Sequence, residues 1–176
     1  MSTKVPWDIP SEAEIRWLLH QGFSESALMT PTLIRAANVE FLNGRTFDFD
    51  VGGERAFVLV VADNEFVVDF VAWEPKRGAL ATWRGAAFAL GQEAIFNPAS
   101  YFDGKALRVH RTPLEWLKAE RDGIVIVQPQ LTYAYLRDAP LSFADRAFAE
   151  TVTRWREPSS ARGALFIEVP AEGTAA

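Results

Sequence analysis

The sequence predicts an α+β fold: an antiparallel β-meander over about residues 46–84, packed by helices, then a smaller α/β segment with a parallel crossover. Three observations lead there. Hydrophobic spacing near the N-terminus follows the helical period, then changes to alternation at Thr46. Apolar runs between Ala56 and Arg84 are separated by short turns, as antiparallel neighbours require. After Ala106 a strand, a helix and a strand follow one another at the spacing of a parallel crossover.

Taking the elements in order, Ser11 to Gln21 reads as a helix. Ser11 and Glu14 form a capping box, Ile15, Leu18 and Leu19 make an apolar stripe, and Gly22 ends it. A second helix is expected from Thr30, with Pro31 at its first position and Leu33, Ile34, Ala37 and Phe41 on one face, closed by Asn43-Gly44. Thr46 to Val51 alternates as a half-buried strand. Ala56 to Ala62 is apolar on both faces and reads as a central strand, with a turn at Asp63-Asn64. Phe66 to Trp73 is the next strand, Pro75 to Gly78 a turn, and Ala79 to Arg84 a further strand. Ala86 to Phe96 lacks a polar face and predicts a buried helix, stopped by Asn97-Pro98; Ala99 to Gly104 is loop.

In the second half, Ala106 to His110 is a strand. Thr112, Pro113 and Glu115 start a helix that runs to about Arg121 and ends at Gly123. Ile124 to Val127 is a short strand, and Gln130 to Arg137 is helical. Ser142, with Asp145 three residues on, caps a last amphipathic helix carrying Phe148, Val152 and Trp155. Pro158 to Gly163 is a linker and Ala164 to Val169 an edge strand. Residues 1–170 are expected to form one globular domain, with 171–176 a disordered tail.

Bulk composition bounds the function. The chain has 176 residues, within the size of one domain of roughly 100–200 residues. Hydrophobic residues at 49% and charged residues at 23% are ordinary globular usage. A net charge of −5 and a pI near 5.1 argue against non-specific nucleic-acid binding. The absence of cysteine removes thiolate chemistry and disulfides, and suits a reducing, cytoplasmic setting. No apolar run is long enough for a membrane span, and no signal peptide is evident. The expectation is therefore a soluble cytoplasmic protein without a membrane partner.

Four groups of residues could carry function. Asp69 lies in the most apolar setting of any carboxylate. Counting back from the Pro75–Gly78 turn places it opposite Arg84, so a structural ion pair between Asp69 and Arg84 is expected. Asp63 or Asp69, followed by Glu74-Pro75-Lys76, superficially resembles the acidic–lysine pattern of Mg²⁺-dependent nucleases. Pro75 in a turn, and the odd spacing of Asp69 and Glu74, speak against it. At the end of the Ala106 strand, His110, Arg111, Thr112, Gln128 and Gln130 could converge on a small anionic ligand. Finally, Trp73 and Trp83 flank a turn carrying Lys76 and Arg77, and an aromatic, cationic tip suits recognition of a protein partner.

Other signatures are absent from the chain: no Gly-x-Ser-x-Gly elbow, no His-x-x-x-His spacing, no phosphate-binding glycine loop. His20, near a helix C-terminus, reads as structural. No cofactor and no metal site is called for, and no pattern commits the chain to catalysis. The leading expectation is a non-enzymatic binding or accessory protein using the Trp73–Trp83 hairpin. The alternatives are a domain for a small anionic ligand at the His110 strand end, and a Mg²⁺-dependent phosphodiesterase.

Overall fold

The computed structural model describes residues 6–63 and 66–157. It is an α+β fold with an antiparallel-rich barrel and a second, mixed sheet. The barrel strands are β1 (Arg35–Leu42), β2 (Thr46–Phe49), β3 (Glu54–Asp63), β4 (Phe66–Glu74) and β5 (Ala79–Thr82). They close in the order β1-β2-β5-β4-β3. β3, β4 and β5 form the expected antiparallel run. β2 does not join it at β3; it pairs with β1, and meets β5 in parallel at Thr46 and Thr82.

Strand alternation gives the barrel two apolar surfaces. Ala37, Val39, Phe47, Ala56, Val58, Phe70, Ala72 and Ala81 fill the interior. The four alanines among them leave room for five strands to close around the larger side chains. Phe57, Leu59, Val61, Val71 and Trp73 point outward and are covered by Leu18, Phe23, Leu28, Trp116, Leu117 and Val125. The covering residues come from α1 (Glu12–His20), α2 (Glu25–Met29), α4 (Pro113–Lys118), the turn at Phe23 and the second sheet.

That sheet has the order β6-β8-β7-β9, from β6 (Ala89–Leu90), β7 (Leu107–His110), β8 (Ile124–Ile126) and β9 (Leu141–Phe143). The expected crossover is present: β7 and β8 pair in parallel on either side of α4. β9 pairs with β7, also in parallel. The remaining helices are α3 (Glu93–Phe96), α5 (Thr132–Leu136) and α6 (Arg146–Trp155).

Three sequence-based elements are corrected. The helix expected from Thr30 is replaced by α2, which ends before it, and by β1. Ala37 and Phe41 fit both periods, and two strand partners decide between them. The helix expected over 86–96 is a strap, then β6, then the single turn of α3. Gly91 adopts φ +68°, and a Cβ there would meet the Gly123 carbonyl oxygen at 2.4 Å, so only glycine fits this close approach. Ser142 lies in β9, and Asp145 is the residue that caps α6, accepting a hydrogen bond from the Phe148 N–H at 2.8 Å. Asn64 of the expected turn, the linker 158–163, the edge strand 164–169 and the tail 171–176 lie outside the described residues.

Candidate functional site

A cluster of accessible apolar side chains is built around α1. Ser11 and Glu14 form the capping box that sequence spacing predicts: the Ser11 N–H donates to Glu14 Oε2 at 2.7 Å. Glu14 also receives Arg55 Nε from the barrel at 2.9 Å. That hydrogen bond is the largest cause of a carboxyl held down at about 2, below its ordinary 4.5. Asp8 lies 3.6 Å from the same guanidinium. One arginine on β3 thus ties the start of α1 to the sheet.

Beyond this anchor, Leu18 faces the core while the rest of the helix carries apolar side chains to the surface. Trp17 is 38% exposed and rests on Phe57, ring centroids 6.1 Å apart, and on Trp73 at 6.5 Å. Ile15 and Leu19 are each more than one-third exposed on another side. Two grooves flank the ridge. One, of about 280 Å³, lies between α1 and the β4–β5 hairpin and is lined by Trp17, Arg55, Phe57, Pro75 and Lys76. The other, of about 350 Å³, lies between α1 and α2. It is lined by aliphatic side chains, including Ile9, Ile15, Leu19, Met29 and Leu33, with Glu25 as its charged residue. Ile9 and Met29 are 63% and 62% exposed.

The α2 wall of that groove is held from behind. Ser24 caps α2 through the Ala27 N–H at 3.0 Å, and its hydroxyl donates to Glu120 at 2.8 Å. Arg121 Nε donates to the Ala27 carbonyl at 2.7 Å and Nη2 to the Thr32 carbonyl at 2.9 Å, with the guanidinium over Trp116. Burial lowers the pKa of this guanidinium to about 10. Glu120 and Arg121 both have positive φ, 54° and 60°, an uncommon backbone for non-glycine residues. These contacts hold it.

The residues expected at the hairpin are divided by the sheet. Trp73 is 3% exposed and belongs to the outer core with Trp17 and Phe57. Trp83 packs on the opposite face against Phe49 and Phe70. Trp73 pairs with Leu80, and Trp83 is three residues further, so alternation sends the two rings to opposite faces. Arg77 is engaged by Glu54 and Glu74 and lies over Phe41. The Lys76 ammonium has no such partner among the described residues and borders the Trp17 groove. Trp73 is thus corrected from a contact residue to the support beneath Trp17. Trp17 was not among the residues expected to make contacts; the signal for it is a short helix in which Ile15, Trp17, Leu18 and Leu19 point in more apolar directions than one core contact can bury.

Asp69 is buried, and its main-chain position continues the register toward Arg84. Its carboxylate, however, accepts the N–H groups of Phe70 at 2.8 Å, Arg84 at 3.0 Å, Ala86 at 2.8 Å and Ala87 at 3.2 Å. The Arg84 guanidinium lies over Trp83 instead, 4.2 Å from its centroid. The expected ion pair is therefore a main-chain clasp. The barrel-to-sheet strap it grips is held from the other side by Gln128 Nε2, which donates to the Gly85 carbonyl at 2.8 Å and the Ala87 carbonyl at 2.6 Å. Glu74 accepts the Lys76 and Arg77 N–H groups at 3.1 and 2.7 Å, closing its turn.

The His110 group is dispersed among local partners. His110 Nε2–H donates to the Asp122 carbonyl at 2.8 Å. Arg111 pairs with Asp145 at 2.9 Å and covers Phe148. Gln130 donates to Gln128 Oε1 at 2.9 Å and so joins the strap network. A larger cavity of about 770 Å³ lies between the β3–β4 hairpin and α3, with Asp63, Glu93, Thr32 and Phe96 in its wall. Among the described residues, no helix is long and apolar enough to cross a membrane. No family model, curated protein or solved structure matches this chain.

Proposed function

We propose that this chain is a non-enzymatic binding or accessory protein of the cytoplasm, and that it engages a protein partner along the α1 ridge. The observation that carries this reading is the exposure of Ile9, Ile15, Trp17, Leu19 and Met29 around one helix that is itself pinned to the barrel. Exposed apolar patches rimmed by polar groups are characteristic of protein interfaces. A pre-positioned tryptophan beside a lysine that has no ion pair among the described residues adds an anchor of the type that dominates binding energy. The hairpin retains a part through Pro75 and Lys76, while Trp73 supports from below.

The anionic-ligand reading at the His110 strand end requires Arg111 to exchange Asp145 for the ligand, and the phosphodiesterase reading requires Asp69 to release main-chain donors. The ridge needs no such exchange. The test is affinity capture from the native host with wild-type protein, with Trp17→Ala/Met29→Asp, and with a control at exposed Val51→Asp. The expected result is a discrete captured protein that the ridge variant loses by at least about tenfold, or about 1.4 kcal/mol, while the control keeps it. Equal capture by all three would end the proposal.

A further inference from the structure

Resting on the reading of α1 as a partner-binding ridge, we infer that the α1–α2 groove takes an amphipathic protein segment with an aliphatic face and a basic residue at its α2 end. The aliphatic requirement follows from the walls. Ile9, Ile15, Leu19, Met29 and Leu33 offer no hydrogen-bonding groups, so a segment seated there gains by burying apolar area and loses by burying polar groups. Short helices laid into such grooves use side chains at helical spacing as anchors.

The charge requirement follows from the ionised groups around the groove. Asp8 and Glu14 are both engaged by Arg55, and Glu12 by Arg16. The remaining acids are at the α2 end. Glu25 lines the groove in the first turn of α2, with no hydrogen bond or ion pair among the described residues. Glu120, bonded to Ser24 at the start of α2, adds a second carboxylate without an ion pair among the described residues. Of the arginines near α2, Arg121 commits its guanidinium to the Ala27 and Thr32 carbonyls behind the helix and does not line the groove; Arg35 has the strand parity of Ala37 and Val39 and belongs to the barrel-interior side. Glu25 is therefore the charge that the groove itself presents at its α2 end, and it is negative. A lysine or arginine on the partner would find an ion pair there, and an acidic residue would be repelled.

The probes are three labelled 14-residue peptides: leucine and lysine in an amphipathic helical pattern, leucine and glutamate in the same pattern, and the leucine–lysine composition scrambled. Binding to the full chain is followed by fluorescence anisotropy. The leucine–lysine helix is expected to bind saturably at one site. Met29→Asp should weaken it at least about tenfold, and the scrambled peptide should be equally poor. Glu25→Lys should weaken the leucine–lysine helix about three- to fivefold, the effect of one partly solvated ion pair, and strengthen the leucine–glutamate helix. Equal binding of the two helices, unchanged by Glu25→Lys, would overturn the charge assignment and leave the aliphatic ridge standing. Binding unaffected by Met29→Asp would overturn the groove as the site. No saturable binding by either helix would overturn the occupant, while the capture experiment decides separately whether the ridge meets any partner. Thermal melts of both variants verify folding, which is expected to hold because the two side chains are exposed.

Discussion

A carboxylate can hold a chain together through amides as well as through cations, and Asp69 does so. Four N–H groups converge on it inside the protein, three of them from the strap at 84–87. Asp69→Asn keeps the shape but turns one acceptor into a donor facing donors. The expected loss is about 2–3 kcal/mol, read as a lower urea midpoint with an unchanged slope. Glu14 makes a pH-dependent contribution of opposite accessibility. Its folded pKa of about 2 lies below its ordinary 4.5, so its stabilisation is complete above pH 4.5 and disappears as pH falls through 2. Because the Arg55 partner is partly exposed, the term is about 1 kcal/mol or less. Urea melts from pH 6 to 2 should show Glu14→Gln less acid-sensitive than wild type. Position 69 was legible in the sequence as a buried carboxylate in register with Arg84. The nature of its partner was not, because main-chain donors from a distant strap leave no trace in residue identity.

At the level of elements, legibility followed the uniqueness of the hydrophobic period. α1 carries a capping box and a stripe that only a helix satisfies, and it appears within a residue of its expected bounds. The β3–β4–β5 run has turns that admit only antiparallel neighbours. The segment Arg35–Leu42 fits both periods, and hydrogen-bonded strands on each side settled it. Ala86–Phe96 offers no polar face to fix a helix, so its conformation is imposed by Asp69, Gln128 and the contact of Gly91 with Gly123. Gly91→Ala therefore tests this element. A methyl group would collide with main chain and oppose a positive φ, so a loss of about 1–3 kcal/mol is expected in thermal or urea unfolding. A helix over 86–96 would instead gain from alanine.

For the whole molecule, one sheet face explains both stability and exposure. The barrel fills its interior with alanines and a few large side chains, and its outer face needs a cover. The second sheet and α4 provide much of that cover, and α1 and α2 complete it, but two short helices with apolar residues in several directions cannot bury them all. The ridge is what remains outside. The sequence pointed to recognition near the hairpin, and the register sent Trp73 beneath Trp17, moving the surface by one layer. This ridge is proposed to meet a protein partner. That contact is tested most directly by a photoreactive benzoylphenylalanine placed at Met29, and in parallel at Val51, in the native host. A discrete protein adduct from Met29 and none from Val51 is predicted; no adduct from Met29, or the same adducts from both positions, would contradict it.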